Sequence, residues 1–138
     1  MMQPVTQESL RRLLDTPVFG IVATIQPDGT AQQSVVWVGR DGDDVLFFLA
    51  VDSRKAKNLR HDPRVSVLLN PADAPHTYAV IRGIATFEPD RTRALRDELA
   101  TKYVGVPYAE HVARTPTASY EGAMTTVRVT PDKILGRL

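Results

Sequence analysis

The chain has no cysteine among its 138 residues, which excludes a disulfide framework, thiolate zinc sites, cysteine nucleophiles and Cys-ligated clusters. Histidine is scarce. His61, His76 and His111 lie too far apart for a local HExxH-type ligand set, and no metal is expected. Each also has a plain reading: His61 ends a helix, where a cation suits the dipole, His76 opens a strand, and His111 sits in a polar loop. No apolar run approaches the roughly 18 residues of a spanning helix. The opening MMQPVTQESLRRLLD has no apolar stretch of a secretion signal, so a cytoplasmic protein without membrane contact is expected. GxSxG, a P-loop GKS/T and a glycine-rich dinucleotide turn after a strand are all missing, as is a defensible Ser-His-Asp order. Hydrolysis and phosphoryl transfer are unsupported.

What is present describes one ordinary globular domain spanning residues 1–138: 43% hydrophobic, 24% charged, 15.3 kDa. The formal charge is only +1, yet Arg54, Lys55, Lys57, Arg60 and Arg64 stand against Asp62 alone between residues 53 and 64. A compact basic segment on a near-neutral chain suits a local anionic ligand better than a long nucleic-acid track. No aromatic residues interleave with it to make a stacking platform, so no nucleic-acid partner is expected. Charge alone leaves a solvated basic helix equally open.

Thr6 precedes Leu10, Leu13 and Leu14 at helical spacing, and Pro17 stops that helix. Val18 to Ile25 reads as a strand covered on both faces. Pro27-Asp28-Gly29 turns it into a return strand, Ala31 to Val38. Residues 39–44 read as a second turn and Val45 to Val51 as a third strand of a meander. Ser53 then caps a short helix, Arg54 to Arg60, ended by Asp62-Pro63. Val65 to Leu69 and Thr77 to Phe87 are strands, the latter with Gly83 as a bulge or corner. A helix from Asp90 turns Leu95, Leu99 and Tyr103 inward, and Gly105 to Ala118 is loop or short helix. Ala123 to Val129 alternates as a strand, and Pro131-Asp132 turns into a last short one. The expected class is α+β: six to seven mostly antiparallel strands closing as a small barrel, with two to three helices.

Ser53-Arg54-Lys55-Ala56-Lys57 follows a hydrophobic strand and opens a helix. Free N–H groups, the helix dipole, a hydroxyl and several cations converge there, a combination suited to phosphate. The string VLFFLAVDSRKAKNLRHDPRVSVLL, preceded by GIVATIQPDGTAQQSVVWV and followed by TYAVIRGIATF, resembles the flavin-binding split-barrel family that includes pyridoxamine 5′-phosphate oxidase. Within it the chain is most similar to small actinobacterial members that use the deazaflavin F420, on Gly20, Ala23-Thr24-Ile25, Asp28-Gly29, Gln32, Ser34, Asn58-Leu59-Arg60, Asp62-Pro63-Arg64, Tyr78-Ala79-Val80, and the pair Tyr120 and Met124.

The resemblance implies a homodimeric oxidoreductase with a cofactor site in each subunit seam, F420 first and FMN as the alternative. Cofactor is then held by Gln32, Gln33, Ser34, Val35, Val36 and Trp37, by Ala50 at the end of the third strand, and by Ser53, Arg54, Lys55 and Lys57. Backbone N–H groups from Ser34 to Val36 meet the ring, while Ser53, Arg54 and Lys55 hold phosphate. Lys57 and Arg60 suit the acidic tail of F420. The resemblance has Tyr78 come from the partner chain, with His76, Tyr120 and Met124 as further candidates; Tyr78, Tyr120 and Met124 also read as plain core or interface packing, the reading preferred for Met124. No catalytic side chain stands out. The oxidases have an arginine about twenty residues before SRK, where this chain has Gln33. The sequence given also ends at Leu138 without their C-terminal arm, so vitamin B6 oxidation is not expected. Acceptor choice falls to the loops Pro71 to Pro75 and Gly105 to Ala118. A non-catalytic protein that stores or delivers F420, FMN or haem is the alternative from another class.

Overall fold

The computed structural model describes residues 3–115 and 122–138. Helix α1 (Gln7–Leu14) opens on a reciprocal cap: Thr6 Oγ1 accepts from the Ser9 N–H at 3.0 Å, and Ser9 Oγ accepts from the Thr6 N–H at 2.9 Å. Its Leu10 and Leu14 are buried. Seven strands follow: β1 (Phe19–Ile25), β2 (Ala31–Trp37), β3 (Gly39–Asp41), β4 (Asp44–Ala50), β5 (Arg64–Leu69), β6 (Tyr78–Phe87) and β7 (Met124–Arg137). Helix α2 (Arg54–His61) lies between β4 and β5. Helices α3 (Thr92–Val104) and α4 (Tyr108–Arg114) lie between β6 and β7, after a single 3-10 turn at Pro89–Arg91.

The strands form one antiparallel sheet in the order β2-β1-β5-β6-β7-β4-β3. β2 and β3 stand at opposite ends of that order, yet only Val38 separates them in sequence. The sheet therefore curls until its ends nearly meet. The inner face carries Val22, Val38, Val45, Phe47, Val67, Ile81, Val127 and Val129, all fully buried. A smaller cluster, Leu46 with Leu95 and Leu99, fixes α3 to the outside of β4 together with Trp37, Phe48 and Tyr103.

Several expectations need correction. The first three strands do not form a meander. Residues 39–41 belong to β3 rather than a turn, and the hairpin β3-β4 joins the sheet through β7 at the far end from β2. The physical cause is Val38, which is fully buried and carries the chain across the barrel end. Pro131-Asp132 does not turn the chain either. β7 runs unbroken through it, with Gly83 opposite Pro131 and Arg82 opposite Lys133, so Asp132 is the extra residue of a bulge. Gly83 is required there, because a Cβ would lie 2.2 Å from the Thr130 carbonyl oxygen. Helices number four among the described residues, since Tyr108–Arg114 is helical in the segment read as loop or short helix. β1 is buried on its inner face only: Phe19 is 56% exposed, and Ile21, Ala23 and Ile25 are half-buried. Tyr120 lies outside the described residues.

Candidate cofactor cleft

Curling leaves a split. β3 pairs with β4 only through Leu46, so on that side Phe47–Ala50 have no strand neighbour, and β2 is the other edge. The parity of the β2 ladder decides what the split presents. The Gln26 N–H donates to the Thr30 carbonyl at 2.8 Å, and alternation from that rung turns the backbone groups of Gln32, Ser34 and Val36 toward β1. The next even position confirms it: Val38 N–H donates to the Tyr103 hydroxyl at 3.0 Å, and that hydroxyl donates to the Val18 carbonyl, occupying the rung. The N–H groups facing the split therefore belong to Gln33, Val35 and Trp37, not to the run Ser34 to Val36.

A cleft of about 290 Å³ lies at this place, lined by Phe19, Val35, Val36, Trp37, Phe48 and Lys55. Its outer wall is aromatic. Trp37 stacks on Tyr103 (5.3 Å between ring centroids, 7° between planes) and meets Phe48 at 6.5 Å and His111 at 5.2 Å. Tyr108 closes on Phe48 at 6.0 Å, under the Arg96 guanidinium at 4.6 Å.

The basic corner is the start of α2. Ser53 caps it, its hydroxyl accepting from the Ala56 N–H at 3.2 Å. Behind the cap, buried Asn58 donates from Nδ2 to Thr24 Oγ1 at 3.0 Å, and Thr24 bonds Gln32 Oε1 at 3.3 Å. This chain ties α2 to β1 and β2, so the Gln32 side chain is scaffolding on the inner face. Arg60 and Arg64 are engaged locally. Arg60 donates to the Val51 carbonyl and lies over Phe87, while Arg64 pairs with Asp62 at 2.7 Å. Arg60 is thus not a free cation for an acidic tail. Among the described residues no ion pair includes Arg54, Lys55 or Lys57. Arg54 and Lys57 are exposed, whereas Lys55 is half-buried and burial alone pulls its pKa below the usual lysine value.

The cleft thus gathers Val35, Val36, Trp37 and Lys55, and Ser53, Arg54 and Lys57 lie within the same few residues of α2. Gln33 projects its amide to the exposed outer face, and Ala50 ends β4 opposite Met124. Met124 touches Arg96 through its sulfur at 3.8 Å. Ser34 Oγ is buried with no partner among the described residues. Tyr78, 42% exposed, stands on β6, three strands from β2, and is not brought to the cleft of its own chain. Sequence reasoning missed Phe19, Phe48, Tyr108 and His111. Phe48 was within reach, because parity along β4 puts it on the face opposite buried Phe47. The donor set fits a planar, hydrogen-bonding ring with an acidic end: three edge N–H groups, an aromatic wall, a capped helix start and cations with no counter-ion among the described residues. No described cluster of His, Asp or Glu could hold a metal ion, and no described helix is long and apolar enough to cross a membrane.

Comparisons with known proteins agree with this geometry. The family described as pyridoxamine 5′-phosphate oxidase matches residues 6–137. A pyridoxine/pyridoxamine 5′-phosphate oxidase of Kineococcus radiotolerans is 31% identical over 91 residues, covering 66% of this chain and 38% of the relative. The match thus spans well under two thirds of that relative's length. A solved F420 reductase superposes with a TM-score of 0.73 at 27% identity, covering 90% of this chain and 94% of its own. A conserved hypothetical protein of Mycobacterium tuberculosis superposes with a TM-score of 0.76 at 24% identity, covering 96% of this chain and 84% of its own.

Proposed function

Because the chain belongs to the pyridoxamine 5′-phosphate oxidase family, we propose that its cleft takes the deazaflavin F420 and that it is an F420-dependent oxidoreductase. When bound and reduced, the deazaflavin supplies a hydride from C5 to an electron-poor unsaturated acceptor, and water supplies the balancing proton. The protein's part is binding, orientation and exclusion of water. Edge N–H groups of Gln33, Val35 and Trp37 fix the ring by hydrogen bonds that no ladder rung competes for. Phe48 and Trp37 give it an apolar wall. The Ser53 cap, Arg54 and Lys55 hold phosphate, and Lys57 meets the tail.

One observation carries this reading: Lys55 is a half-buried cation with no counter-ion among the described residues, set in an apolar cleft beside an unpaired strand edge. Withdrawing an ammonium from water without a partner is costly unless an anion arrives. The F420 reductase at 27% identity supports F420 over FMN, and Gln33 supports it too, since a neutral amide is a weaker phosphate partner than arginine.

The sites are completed across a homodimer in this reading. On the outer face, Val35, Ile21, Leu68, Val80 and Leu135 stand side by side across five strands. Val35 is 63% exposed and the others half-buried. An apolar row of that length is a surface for a second copy, which also explains a β1 sequence apolar on both faces.

The test is turnover. Protein mixed with chemically reduced F420 and a panel of enones, quinones and nitroaromatics should oxidise the cofactor with at least one of them. Tight binding with no turnover across the panel would favour a carrier, and release of FMN from denatured native protein would favour the flavin.

A further inference from the structure

A second cleft among the described residues is larger than the cofactor cleft. It measures about 940 Å³, lies between α1 and the loop joining β5 to β6, and shares one wall, Phe19, with the cofactor cleft. Its walls are largely apolar: Leu13 and Pro17 from the α1 side, Phe19 from β1, and Pro71 and Ala74 from the loop. The polar groups on it are mostly spent. Thr6 and Ser9 satisfy each other, Thr16 donates to the Leu13 carbonyl at 2.7 Å, and Thr77 donates to the Ala74 carbonyl at 2.7 Å. Asn70 spans the loop, donating to the carbonyls of Pro75 (3.2 Å) and Thr77 (2.7 Å), and so holds the wall in shape.

Two charges remain. Arg12 comes from α1, and among the described residues it takes part in no ion pair. Its neighbour Arg11 is committed to Asp43 at 2.7 Å. Asp73 comes from the loop. A cavity of this volume suits a molecule larger than a simple metabolite fragment. The opposite signs on its two sides would turn a negatively charged end toward α1 and away from the loop.

We propose that this cleft is a second binding site, specific for an extended apolar carboxylate whose anionic end is read by Arg12. Its wall Phe19 also borders the cofactor cleft, so the bound molecule is the acceptor that meets the ring there. That identification rests on the proposed function, but binding at this site does not.

The experiment uses cofactor-free protein and cis-parinaric acid, a fluorescent C18 carboxylate, with the corresponding alcohol as the uncharged control. The site predicts saturable, one-to-one binding, with the acid favoured over the alcohol by about tenfold, the size of one charge-assisted contact. Arg12→Gln should erase that preference while leaving the alcohol's affinity unchanged. Ala72→Trp, placed at an exposed lining residue, should block both ligands with an unchanged circular dichroism spectrum. Non-saturable binding, equal affinity for acid and alcohol, or binding indifferent to both substitutions would overturn the proposal. Because no cofactor is present, failure here leaves the F420 reading standing, and failure of F420 to bind leaves this result untouched.

Discussion

Two lysines show how burial is used differently in this chain. Lys55 is desolvated with no ion-pair partner among the described residues, and burial holds its ammonium below the ordinary lysine pKa in the free protein. An incoming phosphate favours the charged form and raises it again. Cofactor affinity should therefore fall as pH rises through the free-state pKa of Lys55. Lys55→Met should weaken binding by about 1.5–3 kcal/mol, the worth of a hydrogen bond to a charged group, and flatten that pH slope. Isothermal titrations at several alkaline pH values check both, and a slope unchanged by the substitution would assign the effect elsewhere. Lys102 is structural. Its ammonium donates to the Leu14 carbonyl at 2.6 Å and to the Val38 carbonyl, joining α1 to the strand corner, and burial pulls its pKa to about 8. The unfolded chain, with lysine near 10.5, binds more protons between those values, so this group's contribution to stability rises with pH there. Denaturant melts of wild type and Lys102→Met should show a stability gap that widens from pH 7 to 10. A constant gap would contradict the assignment. At this scale the sequence was readable for Lys55, whose SRK context marks a helix start after an apolar strand. Lys102 was not readable, because its partners are backbone carbonyls 88 and 64 residues away.

Among the elements, β2 separates binding from folding most cleanly. Proline is tolerated on an edge strand where the missing N–H faces outward, and costly where it removes a rung. Val35→Pro should leave the fold standing and abolish cofactor binding, whereas Val36→Pro, which breaks a rung to β1, should lower thermal stability more. Equal loss of stability in both would refute the parity assigned to the ladder. At the other end of the sheet, Arg128 holds β7 to three carboxylates: Glu88 at 2.6 Å, Asp41 at 2.7 Å and Asp44 at 2.8 Å. The guanidinium keeps the Asp41 and Glu88 carboxyls below their usual range. Arg128→Met should lower stability, because it removes the one guanidinium shared by three partly exposed carboxylates. A depressed carboxylate stabilises above its unfolded pKa and loses that contribution as pH falls through the folded one. The penalty of the substitution should accordingly shrink in acid melts below about pH 4. Most elements were legible from local signals: the Thr6 and Ser53 caps, the Asp28-Gly29 turn and the bulge at Gly83. The β2-to-β3 crossing and the unbroken β7 were not, since both depend on distant strands satisfying the backbone.

For the molecule as a whole, the barrel and its family were legible because strand, SRK helix and Gly-bearing strand follow one another in a fixed order along most of the chain. What local pattern could not show is which face stays open. The apolar row from Val35 to Leu135 is central to the proposed dimer. Leu68→Arg, at its midpoint, should halve the sedimenting mass while keeping the circular dichroism spectrum; an unchanged mass would remove that face from the interface. The claim on which the account turns is that the split beside α2 binds a deazaflavin through its cations and free strand edge. It is tested most directly by fluorescence anisotropy of F420 titrated with the protein, alongside an FMN titration and the double variant Arg54→Ala, Lys55→Ala. The account predicts saturable F420 binding in the micromolar range or tighter, stronger than FMN, and lost in the double variant with the fold intact. Anisotropy that stays flat with wild-type protein, or binding that survives the double variant, would contradict it.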